Sequence, residues 1–171
     1  MRKNTLLPVV LCMAAGLAHA SPELLRSAEK GDLTGVQRQL RSGAAVDARD
    51  TRQRTPLLLA TWANHPAVAQ ALIAAGADVN AKDDQQDSPY LVAGAHGRTE
   101  ILKMTLAHGA DLRSTNRYGG TALIPAAERG HVEVVRTLIA AGVAVDHVNR
   151  LGWTALLEAI VLSDGGPAHQ D

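Results

Sequence analysis

The 171-residue sequence contains no phenylalanine, two tryptophans, two tyrosines and one cysteine, and its 17 basic residues equal its 17 acidic ones. Without large aromatic residues, a core must be built from many small, similar contacts of alanine, leucine and valine. The balanced charge gives no basic surface for nucleic-acid binding. A single cysteine, Cys12, excludes an intramolecular disulfide.

The first 20 residues have the pattern of a secretory signal peptide. A short basic start precedes the apolar run TLLPVVLCMAAGL, and the small-x-small sequence AHA precedes Ser21. We predict cleavage between Ala20 and Ser21 and a periplasmic location, with secretion into the medium as the alternative. A transmembrane anchor fits less well, because the run is about a dozen residues whereas a span needs roughly 20.

Lipidation of Cys12 is not favoured either, because Leu11 precedes it where such sites need a small residue. Removal of residues 1–20 leaves 15 basic residues, 17 acidic residues and no cysteine, a net charge of −2. The mature chain would need neither disulfides nor a reducing compartment.

The same residue types recur every 33 positions without gaps. Hydroxyl residues, alanines and glycines each fall in one register: Thr55, Ser88, Thr121 and Thr154; Ala60, Ala93, Ala126 and Ala159; Gly43, Gly76, Gly109 and Gly142. Such self-similarity is typical of repeat proteins. It divides the chain into a degenerate unit 21–49, complete units 50–82, 83–115 and 116–148, and an incomplete unit 149–171.

Each unit predicts two short helices followed by a polar loop. The hydroxyl residue precedes an apolar run, where it would cap a helix N-terminus, and Pro56 and Pro89 follow at the first helical position. Asn64, Gly97 and Gly130 predict a tight reversal into a second helix with one apolar face. The loops would project as hairpin-like fingers, and first helices and finger tips would form a concave face.

These units resemble ankyrin repeats over nearly all of residues 21–162. The resemblance implies an all-α solenoid of helix-turn-helix units with hairpin-like finger loops. It also implies a non-catalytic adaptor, scaffold or inhibitor that needs no cofactor and binds another protein on its concave face. One departure is the histidine that usually follows the Pro-like position by two residues; apolar side chains replace it here: Leu58, Leu91, Ile124 and Leu157.

A second departure concerns Pro125, one turn into a first helix, where it would distort the helix start without breaking it. Glu158 occupies the equivalent position in the next unit and Arg26 that of the first. We expect this position to face solvent or a groove and to tolerate unusual residues.

The positions that vary in this architecture lie on the fingers and near the end of the first helix. We select from them eight candidate partner-binding residues: Arg52, Arg54, Trp62, His96, Arg117, Tyr118, Arg129 and Trp153. Aromatic residues and arginine carry much of the binding energy at protein interfaces. For the two tryptophans the alternative is local packing against the neighbouring finger.

No catalytic, cofactor-binding or metal-ligating residue is predicted, and we expect no enzymatic activity. Among the histidines of the repeats other than His96, His65 and His131 fall at helix reversals, His108 at a helix end and His147 in a finger, without the spacing of metal ligands. Two alternatives to an adaptor remain: a secreted effector or toxin-neutralising partner, and a periplasmic protein that handles metal or haem through His96 and Tyr118.

The last unit stops after its first helix, at the sequence SDGGPAHQD. Either the chain is truncated within a repeat, or the half-unit is itself a minimal cap; we favour truncation, because a stack needs a polar capping unit. We therefore expect lower stability at this end and self-association through it.

Overall fold

The computed structural model describes residues 22–161. The predicted signal peptide, its cleavage site between Ala20 and Ser21, and the terminal SDGGPAHQD lie outside the described residues. Within them the chain forms nine α-helices and no strand: α1 Pro22–Lys30, α2 Leu33–Arg41, α3 Pro56–Trp62, α4 Pro66–Ala74, α5 Pro89–Ala95, α6 Thr99–Ala107, α7 Leu123–Glu128, α8 Val132–Ala140 and α9 Ala155–Val161. The all-α prediction is confirmed.

Three of the four first helices in the 33-residue register begin at the predicted hydroxyl cap. The side-chain oxygens of Thr55, Ser88 and Thr154 accept hydrogen bonds from the backbone N–H three residues on, at 3.2, 3.3 and 3.2 Å. Each bond satisfies one of the N–H groups that a helix start leaves unpaired.

The cap predicted at Thr121 is wrong, and Pro125 is the reason. The backbone N–H groups of Leu59 and Val92 donate to the carbonyls of the capping residues, but Pro125 has no N–H to donate. Instead the N–H of Ile124 donates to the Thr121 carbonyl at 3.3 Å, so the hydroxyl loses its donor. The Thr121 Oγ1 is buried and has no hydrogen-bond partner among residues 22–161.

The reversals between paired helices use left-handed backbone, as predicted. Asn64 has a φ of 57° and Gly97 a φ of 67°. The pairs then stack so that each first helix packs on the first helix of the next unit. These contacts join α1 to α3, α3 to α5, α5 to α7 and α7 to α9. Second helices form a parallel row from α2 through α4 and α6 to α8.

One column of side chains shows how the core continues from unit to unit. Leu24, Leu57, Tyr90 and Leu123 lie 33 residues apart, and each is at most 1% exposed. The next member of the column, Leu156 on α9, is 67% exposed. Burial therefore depends on a following unit, and α9 has none among the described residues.

A second set of residues at 33-residue spacing shapes the fingers. In each finger, a side-chain oxygen of the first residue accepts two backbone hydrogen bonds. Asn116 Oδ1 accepts from the N–H groups of Tyr118 and Gly120 at 2.9 and 3.1 Å. Asn149 Oδ1 accepts from Leu151 and Trp153 at 2.9 and 3.0 Å. Equivalent bonds form in the earlier fingers, whose first residues are Asp50 and Asp83.

Candidate binding groove

Two neighbouring cavities lie where the first helices meet the fingers. The one we call the Trp62 cavity has a volume of about 240 Å³ and lies over α5 and α7. The one we call the Trp153 cavity, of about 360 Å³, lies over α7 and the last finger. Asn116, Tyr118, Pro125 and Glu128 line both, so the two cavities are adjacent, and we call them together the groove.

The structure brings six of the eight predicted residues into this groove and leaves two outside it. Five line the Trp62 cavity: Trp62, His96, Arg117, Tyr118 and Arg129. Trp153 lines the other cavity. Arg52 and Arg54 line neither, and Arg54 forms an ion pair with Asp50 of its own finger at 2.7 Å.

Trp62 and His96 form the aromatic end of the groove. Trp62 ends α3 and His96 follows the last residue of α5, so the stacking of adjacent units brings them together. Their ring centroids are 4.5 Å apart and their planes are inclined by 57°. Trp62 itself is 39% exposed, so one part of the residue packs against the protein while another part is open to a partner.

Two arginines on the groove are held in place by neighbouring units. Arg117 donates to the Oε1 of Gln85 at 2.8 Å and lies 3.8 Å from the Asp87 carboxylate, and its guanidinium lies 4.8 Å from the Tyr118 ring centroid. Arg129 donates to the carbonyl of Ala95. Fixing a long side chain before binding reduces the entropy lost when a partner docks.

The electrostatics around the Trp62 cavity favour a neutral imidazole in His96, which lines it, and in His131, which does not. Burial lowers the pKa of His96, and the positive charges of Arg129, Arg98 and His131 lower it further. Burial and the same two arginines lower the pKa of His131, although a hydrogen bond to the backbone of Ala95 opposes this shift. At neutral pH this end of the groove therefore carries its positive charge on arginine.

The Trp153 cavity differs in charge. Its lining includes Glu128 and Glu158 and, among the described residues, no basic side chain. The predicted exposure of the Pro125 and Glu158 position is wrong in part, because both residues are buried. Both nevertheless line the groove, which was the other possibility. Both residues are shielded from solvent because the last finger, through Trp153 and Leu151, forms another wall of the same cavity.

Sequence reasoning missed the residues that shape the fingers, and it did not include Glu158 among the candidate binding residues. Asn116 and Asn149 orient Tyr118 and Trp153 through their side-chain amides. The signal was available, since Asp50, Asp83, Asn116 and Asn149 recur at the same 33-residue spacing as the caps. The position of Glu158 was noted from the register with Pro125, but its burial was not predicted, because burial depends on which side chains surround it.

Within residues 22–161, no group of three histidine, cysteine, aspartate or glutamate side chains is arranged to hold a metal ion. Nor is any described helix long and apolar enough to cross a membrane. The arrangement offers shape, aromatic surface and fixed charge, which are the means of recognition.

Known proteins are similar to this chain in sequence and fold. The chain matches the family model described as ankyrin repeats (3 copies) over residues 24–116 and 90–166. The crystal structure of an ankyrin repeat domain from Acinetobacter baumannii AYE is 62% identical, with a TM-score of 0.83 over 86% of this chain and 75% of that chain. A second ankyrin repeat protein of known crystal structure is 46% identical, with a TM-score of 0.82 over 87% of this chain and 76% of that chain.

Among curated proteins, none matches the sequence. The family match and the two structures agree with the helix pairs and fingers described above. The chain therefore belongs to the ankyrin-repeat family, whose members are generally non-catalytic protein-interaction modules.

Proposed function

We propose that this protein is an exported, non-catalytic binding module, an adaptor, scaffold or inhibitor that holds a partner protein in the groove between its first helices and fingers. The observation that supports this most directly is the gathering of Trp62, His96, Arg117, Tyr118 and Arg129 around one cavity. These residues come from three successive units, and the stack alone unites them.

The groove has the composition of an interface centre and rim. Trp62 and Tyr118 are 39% and 49% exposed, although large aromatic side chains gain most from burial. Charged and polar groups such as Asp87, Gln85 and Arg129 surround them. A partner that covers the aromatic rings can therefore exchange hydrogen bonds with the rim, which is the usual anatomy of a specific interface.

Affinity capture tests the binding role. The chain from Ser21 to Asp171 serves as bait in periplasmic extract, and the captured proteins are identified by mass spectrometry. We expect one protein to be captured by the wild type and lost with Trp62→Ala and with Arg129→Ala. Arg136→Ala is the matched control for the second variant, because Arg136 lies exposed on α8 and does not line the groove.

Thermal melting of each variant separates recognition from folding. Loss of capture with an unchanged melting temperature places Trp62 at the interface. Unchanged capture with a clearly lower melting temperature would make the tryptophan structural, and repeating the pair with Trp153→Ala decides the same question for the second cavity.

Export to the periplasm is the second part of the proposal, and the basic start, apolar run and AHA sequence of residues 1–20 support it. A mass measurement on the protein recovered from periplasm should give a chain that begins at Ser21. Recovery from the medium would instead favour a secreted effector. Recovery of the uncleaved chain from cytosol would contradict export in either form.

A further inference from the structure

The carboxyl group of Glu158 lies in an unusual position. Glu158 is only 7% exposed, yet its side chain makes no hydrogen bond or ion pair with another described residue. It lines the Trp153 cavity from α9. Most of the residue is shielded from water, but its carboxylate oxygens are not among the fully buried polar atoms without a partner in the described part of the chain, so the group is open to the cavity. A carboxylate in such a position gains from a cation, since partial removal from water disfavours its charge.

The neighbours of Glu158 increase this cost. Burial raises the pKa of Glu158, and the negative charge of Glu128 raises it further. No arginine or lysine among the described residues lines the cavity with them. Arg150 of the last finger donates to the carbonyl of Arg117 at 3.2 Å, and Arg129 donates to the carbonyl of Ala95. The pair of carboxylates thus has no cation of its own among the described residues that line the cavity.

Two aromatic side chains complete the walls. Trp153 and Tyr118 line the same cavity as the two glutamates. Tyr118 already contacts a cation within the protein, because the Arg117 guanidinium lies 4.8 Å from its ring centroid. Trp153 is only partly buried. Aromatic faces beside carboxylates attract a cation that also carries an apolar stem.

We propose that the Trp153 cavity binds a lysine or arginine side chain of the partner protein, with the cationic group at Glu158 and Glu128 and the alkyl stem against Trp153. The proposal rests on the proposed function and adds the chemistry of one anchor. The cavity volume of about 360 Å³ accommodates either side chain. The cation would supply the positive charge that no described residue lining the cavity provides for Glu158.

The test uses small probes, so that it needs no knowledge of the partner. Nα-acetyl-lysine N-methylamide and the arginine equivalent are titrated into the mature chain, and the indole N–H signals are followed by NMR. A Trp62→Phe variant assigns the two indoles. We expect saturable movement of the Trp153 signal with both cationic probes, and none with the neutral norleucine equivalent.

Variants link the signal to the carboxylates. Glu158→Gln keeps the shape of the side chain and should lower the binding affinity of the cationic probes about tenfold or more, because their charge partner is removed. Glu128→Gln should weaken them less, since Glu128 is exposed. Glu100→Gln, an exposed carboxylate on α6 outside the groove, is the matched control and should change nothing.

The outcomes separate this inference from the proposed function. Absence of saturable movement, equal movement with norleucine, or probe affinity unchanged in Glu158→Gln overturns the cation site. If Trp62→Ala abolishes partner capture while Glu158→Gln leaves it intact, the binding module stands and the cation anchor fails. If the probes bind but no partner is captured, the cavity keeps its affinity for a cationic side chain, whereas the proposed function and the assignment of that cation to a partner protein both fail.

Discussion

The imidazole of His131 packs directly against the backbone of Gly97, where an added Cβ would lie 2.9 Å from the ring Nδ1. The same contact occurs two units earlier between His65 and Gly31, at 2.7 Å. Between them, Asn64 replaces glycine and Arg98 replaces histidine. Each histidine ring thus fits against a residue of the preceding unit that has no side chain.

Gly97→Ala should lower the free energy of unfolding by about 2–4 kcal/mol, because the new methyl group meets the ring and Gly97 has a positive φ. Gly109→Ala is the control: its φ is also positive, but a Cβ there meets nothing within 4 Å, so only about 1 kcal/mol should be lost. Equal losses in denaturant unfolding would remove the His131 contact from the explanation.

Thr121→Val should leave stability nearly unchanged, whereas Thr55→Val should cost about 1 kcal/mol. The Thr55 hydroxyl caps a helix, but that of Thr121 is buried and finds no partner in the described part of the chain. In a Pro125→Ala background the backbone regains an N–H at residue 125. Thr121→Val should then become costly, and a double-mutant cycle measures this coupling. A neutral result in that background would contradict the role assigned to Pro125.

The protein should lose stability as the pH falls below about 6.5, the ordinary pKa of histidine. Burial and the nearby arginines lower the pKa of His96 and His131 in the folded state. The unfolded chain therefore takes up protons that the folded chain rejects, and this favours unfolding as the pH falls towards the folded pKa. Melting temperatures from about pH 8 to about pH 5 measure the slope. His96→Gln should make it shallower, and an unchanged slope would speak against this cause.

Glu158→Gln should raise the melting temperature at neutral pH. Burial and Glu128 raise the pKa of Glu158 in the folded state, so ionisation costs the folded protein free energy as the pH rises through the unfolded pKa. The advantage of glutamine should disappear below about pH 4, where both states are protonated. Glu100→Gln serves as the control. A lower melting temperature for Glu158→Gln at neutral pH would show that the carboxylate has a stabilising partner.

Amide hydrogens of α9 should exchange faster than those of α5 and α6. Leu156 and Ile160 on α9 are 67% and 65% exposed, and among the described helices α9 packs mainly on α7. The same exposed surface predicts self-association, which sedimentation at several concentrations measures. Equal protection of α9 and α5 in a monomeric sample would contradict both expectations.

The 33-residue register predicted the helix pairs, the reversals and three of the four caps, because each depends on a short local pattern that the chain repeats. Thr121 failed because one residue, Pro125, altered hydrogen bonding four positions away. A pattern that assigns one role to each column does not include such an interaction between columns.

The candidate site was predictable to a similar degree. The side chains on fingers and helix ends could be placed on one face, but not their pairing. The contact of Trp62 with His96 depends on the offset between adjacent units. The burial of Glu158 depends on how the last finger folds over α7 and α9. Neither this contact nor this burial can be predicted from the spacing of residues along the chain.

The packing of every helix mainly on helices of its own or an adjacent unit has a consequence for how quickly the protein folds. Most tertiary contacts join residues about one repeat apart, so the chain need not bring its two ends together before it gains free energy. Folding can begin at any adjacent pair of units and spread in both directions. The rate should depend on the pair that associates most readily, and additional units should leave that first step unchanged.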